Sequence, residues 1–200
     1  MIESLAAALG LGAQDPAFWM PLALMVMFFA TVVAGVLLDG FDIGVGCVSL
    51  VAPRALRPRM LSLLVPWRDA NEFWLFLGVG LFAGAFPYAW SQTLGRLYVP
   101  LSLLALGTLL RSACFEWRLR APEQRQRRWQ LGFGAGSVLT AFAHGYMLAR
   151  ISVAYESGPG YTGFALLMGA CSVAGYSLLG ATWLMMREAG ELRIRALHWA

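Results

Sequence analysis

The sequence predicts an all-α fold: a polytopic transmembrane helix bundle of about five spans, with its amino terminus outside, on the periplasmic side. Three observations carry that expectation. Of the 200 residues, 59% are apolar and only 13% charged, too little polar side chain to coat a soluble globule of this length. Five apolar segments, near 18–50, 71–91, 97–116, 131–149 and 162–186, are long enough to cross a hydrocarbon core of about 30 Å, which takes roughly 20 helical residues. All 15 basic side chains are arginine, and they gather in alternate connections.

Residues 1–17 read as a short external leader, because Glu3 and the lack of a basic n-region argue against a cleavable signal peptide. Residues 18–195 form one transmembrane domain. Its first span, 18–50, is too long for one straight crossing, so it is expected to tilt or to project into the cytoplasm. The following loop carries Arg54, Arg57, Arg59 and Arg68. Span two, 71–91, is expected to kink at Pro87, which lacks a backbone donor and clashes with the carbonyl four residues earlier. Tyr88 and Trp90 then reach the outer interface, where aromatic belts sit. Span three, 97–116, holds Arg111 and Glu116 near its cytoplasmic end, where snorkelling or a local ion pair would account for them.

After span three come Arg118, Arg120, Arg125, Arg127 and Arg128. His144 in span four, 131–149, reads as a hydrogen-bonded packing residue rather than a haem ligand, since the other histidine is His198 at the chain end. Span five, 162–186, is followed by Arg187, Arg193 and Arg195, and residues 196–200 read as the start of a further, truncated span. The remaining connections offer only Arg96 and Arg150, so the positive-inside rule puts the amino terminus outside and the arginine-rich loops in the cytoplasm. The net charge of +4 is thereby explained by topology, and nucleic acid is not expected as a partner. Cys47, Cys114 and Cys171 are scattered in apolar sequence and read as small buried residues, and no metal site is expected.

Two acidic clusters carry the chemistry. Asp39 and Asp42 are the only ionisable residues from Phe18 to Ala52, and Asp42 precedes the nearest flanking residue, Arg54, by roughly 18 Å of helix. Intramembrane carboxylates are rare and are a functional signal by default. Their spacing puts both on one helix face, beside a stripe formed by Gly40 and Gly44 that lets another backbone come close. In PWRDANEFW, Asp69 and Glu72 again share a face, at a helix start where the dipole favours negative charge. Capping would suffice for that second pair alone. Four carboxylates at similar depth instead suggest a proton-conducting or proton-sensing site, while a paired, structural role stays open. Trp67 and Trp74 could line that face or act as boundary anchors.

DGFDIGVG at 39–46, followed by P-x-x-D-x-N-x-x-W at 66–74, resembles the amino-terminal signature of subunit II of cytochrome bd-type quinol oxidases, the cytochrome d ubiquinol oxidase subunit II family. YTGFALLMGACSVAGYSLLGATWLMMREAGELRIRA is similar to that family's fifth span and following loop, so the likeness runs from about residue 20 to the end. It departs at Trp67-Arg68, where the family often has histidine then tryptophan. The resemblance implies a subunit, not catalytic alone and holding no haem, of a quinol:oxygen oxidoreductase in the bacterial inner membrane. Its larger partner, subunit I, would carry haem b, haem d and the quinol site, and a small third subunit is left open. Membrane lipid and quinone are the other implied partners.

In that family, quinol is oxidised at the outer face, oxygen is reduced to water, and the protons come from the cytoplasm. The resemblance implies a place for Asp69 in the uptake path, with Asp39 and Asp42 matching acids of the first-span signature and Glu72 beside them; Trp74 matches a tryptophan near an oxygen path. Family members are about twice this length, so the chain reads as a fragment, a half-length form or a shortened paralogue. A proton-coupled transporter, or a structural anchor whose acids are all paired, stands as the alternative.

Overall fold

The structure, a computed structural model, describes residues 2–200, and within them every regular element is a helix. The short α1 (Ile2–Ala8) precedes α2 (Pro16–Val51), whose first turn is set by Pro16 and by Asp15, which accepts a hydrogen bond from the Ala17 amide at 2.9 Å. α2 runs unbroken for 36 residues, roughly 54 Å at the usual rise per residue, and so exceeds a hydrocarbon core of about 30 Å. α3 (Arg57–Ser62) turns back beneath it. There the Arg57 guanidinium donates to the Leu50 and Ala52 carbonyls at 3.0 and 3.1 Å, satisfying the carboxyl end of α2. Burial, and then the charges of Arg127 and Arg54, hold the Arg57 pKa below the usual arginine value.

α4 (Arg68–Ala85) and α5 (Pro87–Arg96) replace the expected kinked second span. Pro87 starts a new helix instead of bending an old one, and the two axes meet at 117° across Phe86. The residue before a proline is pushed out of the helical region, and Phe86 at φ −130° and ψ 60° has left it. α6 (Tyr98–Arg120), α7 (Glu123–Ser152), α8 (Pro159–Arg187) and α9 (Glu191–Trp199) complete the order.

Three helices, α2, α6 and α8, are long and apolar enough to cross a membrane, or four spans if α4 and α5 count as one, rather than about five. The shortfall falls on α7, which is 30 residues long but diluted by glycine, Ser137, Thr140 and His144. Its neighbours explain why that is tolerated: α7 packs against α2, α6 and α8, so its polar groups face protein.

Glycine contacts set the helix crossings. Gly44 of α2 and Gly180 of α8 touch backbone to backbone, and a Cβ at Gly44 would lie 2.6 Å from the Gly180 amide nitrogen. Gly107 of α6 and Gly136 of α7 do the same: a Cβ on Gly136 would lie 2.7 Å from the Arg111 nitrogen. Below these crossings an apolar core joins Val45, Met60, Leu61, Leu64, Phe115, Phe133 and Leu184 to Leu192 of α9. A smaller cluster holds Ile43, Cys47, Ala141 and Tyr176. Cys114 is buried as expected, whereas Cys171 is exposed on α8. The outer half of α2 turns Val26, Phe29 and Val33 outward, an apolar surface suited to lipid or to another subunit and not to water.

Candidate functional site

Asp39 emerges from the α2 face that Gly40 and Gly44 open, and it meets Arg111 of α6. The guanidinium grips the carboxylate with both terminal nitrogens, at 2.5 and 3.1 Å, in the fork geometry that suits arginine. Arg111 is 0% exposed and Asp39 4%. Of the two expectations for Arg111, snorkelling is corrected and the ion pair is found, but with a partner 72 residues away rather than a local one. The Arg111 backbone lies against Gly136, so the side chain is directed into the bundle, where a buried charge needs an opposite one. Glu116 does form a local pair, with Arg120 at 2.7 Å.

Asp42, one turn further along α2 and equally buried, accepts from the Asn71 amide at 3.2 Å. Asn71 belongs to the first turns of α4, which brings the second acidic cluster alongside the first. There Glu72 is buried and accepts from Ser112 of α6 at 2.5 Å and from Arg68 at 2.9 Å. Arg68 itself lies inside, its guanidinium 4.6 Å above the Phe115 ring and its other terminal nitrogen 3.1 Å from Asp69. The Asp69 side chain is 94% exposed.

The result is a polar line from the surface inward: Asp69, Arg68, Glu72 and Ser112, beside Asp42 with Asn71, and then Asp39 with Arg111. Asp42 is the one buried carboxylate of the set whose hydrogen-bond partner is neutral. Among the described residues, four buried polar atoms have no hydrogen-bond partner: Arg68 Nε, Arg111 Nε, Thr108 Oγ1 and Thr140 Oγ1. Arg68 and Arg111 belong to the line itself, Thr108 to α6 and Thr140 to α7.

Sequence alone points to all four acids, but not to Arg68 as an inward residue, nor to Asn71, Ser112 and Arg111 as their partners. A lone arginine in an apolar span, facing a lone acid in another, is the signal that could have found the last. Trp67 is half exposed, with the Arg187 guanidinium 5.6 Å from its ring. Trp74 is half-buried against Gly35 of α2. His144 Nδ1 lies 3.2 Å from the Tyr176 hydroxyl, and His198 Nδ1 engages the Ile194 carbonyl at 2.7 Å on α9, so the two imidazoles do not form an axial pair. No group of three metal-ligating side chains occurs among the described residues.

Residues 20–200 match the sequence profile of a family described as "Cytochrome bd terminal oxidase subunit II". The chain is 29% identical over 195 residues to "Cytochrome bd-I ubiquinol oxidase subunit 2" of Escherichia coli K12, a match covering 89% of this chain and 50% of that protein. It is similar, at 29% identity, to "Probable cytochrome oxidase subunit 2" of Haemophilus influenzae, with 79% and 46% covered. With "Cytochrome bd ubiquinol oxidase subunit 2" of Bacillus subtilis it shares 30% identity over 57% of this chain and 35% of the other. The chain spans about half the length of the E. coli relative.

Proposed function

Since the chain belongs to the cytochrome bd terminal oxidase subunit II family, we propose that it acts as subunit II of a membrane quinol oxidase, beside a larger subunit I that carries haem b, haem d and the quinol site. In this reading the amino terminus is periplasmic and the loops bearing Arg54 to Arg68 and Arg118 to Arg128 are cytoplasmic. The complex sits in the bacterial inner membrane, oxidises quinol and reduces oxygen to water. This chain's part is to pass protons inward from the cytoplasm.

The observation that carries the proposal is the gathering of three polar groups, Asp69–Arg68–Glu72, Asp42–Asn71 and the buried Asp39–Arg111 pair, within electrostatic reach of one another. Exposed Asp69 collects a proton from bulk water, and the buried acids Glu72, Asp42 and Asp39 receive it in turn. Arg111 keeps Asp39 in place and compensates its charge, and Arg68 does the same for Glu72. Trp74, half-buried beyond the acids, is assigned to packing along an oxygen path.

A structural-anchor reading draws on one observation: every acid in the line already has a hydrogen-bond partner. A transporter reading can use only the break between α4 and α5, because the other candidate spans are continuous helices. Purification from native membranes in mild detergent decides among them. A haem-bearing larger subunit, seen in a reduced-minus-oxidised visible spectrum together with quinol oxidase turnover, is expected; a colourless preparation overturns the oxidase reading. In the active complex, Glu72→Gln should slow turnover at least tenfold if the line relays protons, a magnitude typical of losing a positioned proton carrier. Unchanged turnover in both Glu72→Gln and Asp69→Asn would favour the anchor.

A further inference from the structure

At the end of the bundle away from the arginine-rich connections lies a cavity of about 300 Å³ between the α5–α6 junction, the end of α7 and the start of α8. It borders an open, almost wholly apolar groove of about 550 Å³, and Gly158 lines both. The only two arginines outside the cytoplasmic clusters and span interiors, Arg96 and Arg150, line the cavity. Neither pairs with a carboxylate among the described residues, although arginines on this side of a bundle are disfavoured.

The loop that walls the cavity is held under strain. Ala154 and Tyr155 have φ of 51° and 65°, the only positive values at described residues other than glycine. Two successive side chains in the left-handed region persist only when the surroundings enforce it. Both arginines do the enforcing. Arg150 donates to the Tyr155 and Glu156 carbonyls at 2.9 and 2.5 Å, and the Arg96 guanidinium sits 5.0 Å from the Tyr155 ring centroid. Glu156, the one acid of this loop, uses only its carbonyl there.

The positive end of the 29-residue α8 opens at the same place. Its N-cap is Gly158, with no side-chain cap, and since Pro159 has no N–H, the Gly160 and Tyr161 amides are the ones that remain available to an acceptor. Two guanidinium groups and a helix start thus converge on a polar cavity, while Phe164, Tyr161 and Val153 line the groove beside it; the Thr162 hydroxyl, also on the cavity wall, is spent on the Gly158 carbonyl at 3.0 Å.

We propose that this is a binding site for an anionic phospholipid: the phosphodiester sits in the cavity against Arg96 and the α8 amino terminus, and an acyl chain lies along the groove past Phe164. A free inorganic phosphate would satisfy the cavity but leave the contiguous apolar groove without a role. A neutral headgroup would leave two positive charges uncompensated. The proposal depends on the chain lying in a membrane and not on the oxidase reading, so either can fail alone.

The test uses the protein purified from native membranes with whatever partner accompanies it, and a phosphatidylglycerol probe carrying a photoreactive group in its acyl chain. Crosslinking to a peptide containing Phe164 is expected. Arg96→Gln should cut that labelling about tenfold, the equivalent of losing one charge-assisted hydrogen bond, while melting temperature is preserved. Phe164→Ala, which keeps the charges, should also reduce it, and Arg193→Gln on α9 should not. Equal labelling by a phosphatidylcholine probe would overturn the charge recognition. Displacement by inorganic phosphate as effectively as by short-chain phosphatidylglycerol would overturn the lipid assignment.

Discussion

Arg111 shows how far a single side chain can organise this protein. Removing its partner by Asp39→Asn leaves a fully buried guanidinium without the carboxylate it grips, a change that costs about 3–5 kcal/mol when no other charge compensates and less to the extent that Asp42 and Glu72 do. We expect a large loss of folded yield and melting temperature in detergent, and partial recovery when Arg111→Gln is added so that two amides face each other. Asp69→Asn, at a 94% exposed side chain, should shift stability by no more than about 0.5 kcal/mol by the same measurement. Oxidase turnover in that variant then reports on proton entry without a folding artefact. At this scale the acids are legible in the sequence because charge inside an apolar run stands out. Their partners are not, since Arg111 is one of 15 arginines and only the crossing at Gly107 and Gly136 selects it.

Helix crossings are where composition becomes geometry. Gly44→Ala drives a methyl group into the Gly180 backbone, and overpacking of this kind costs about 1–3 kcal/mol or more. Gly80→Ala on α4 meets open space and should instead be neutral or stabilising by up to about 1 kcal/mol. Thermal unfolding of the two variants in one detergent distinguishes a contact glycine from a merely helical one, and equal melting temperatures would refute the α2–α8 crossing. The Gly40–Gly44 stripe is readable from residue spacing alone, because small residues four apart mark close helix approach. The partner helix is not, since α8 carries several glycines and Gly163 and Gly175 meet nothing nearby. Pro87 stands out as a disruption, but its strength depends on Phe86 leaving the helical region, which sequence does not display.

Across the whole molecule, membrane character is carried by composition, and the helical count by periodic apolar length. The expected fourth span, 131–149, falls short in apolarity because α7 is covered by three neighbours and need not be apolar. Orientation is checked by introducing single cysteines at Ser62 and Ser157 in a cysteine-free background and labelling intact cells. A membrane-impermeant maleimide should reach Ser157→Cys only, and labelling of Ser62→Cys instead would invert the bundle.

Seventy-two residues separate Asp39 from the arginine that holds it. During synthesis α2 therefore leaves the ribosome long before α6 exists, and its two acids reach the insertion machinery without a counter-ion. The first span is a segment whose residence in the bilayer is provisional until a later one arrives. A chain truncated and released before Arg111 should be extracted and degraded faster than one released after Arg120, so maturation of this protein is timed by α6 rather than begun and finished span by span.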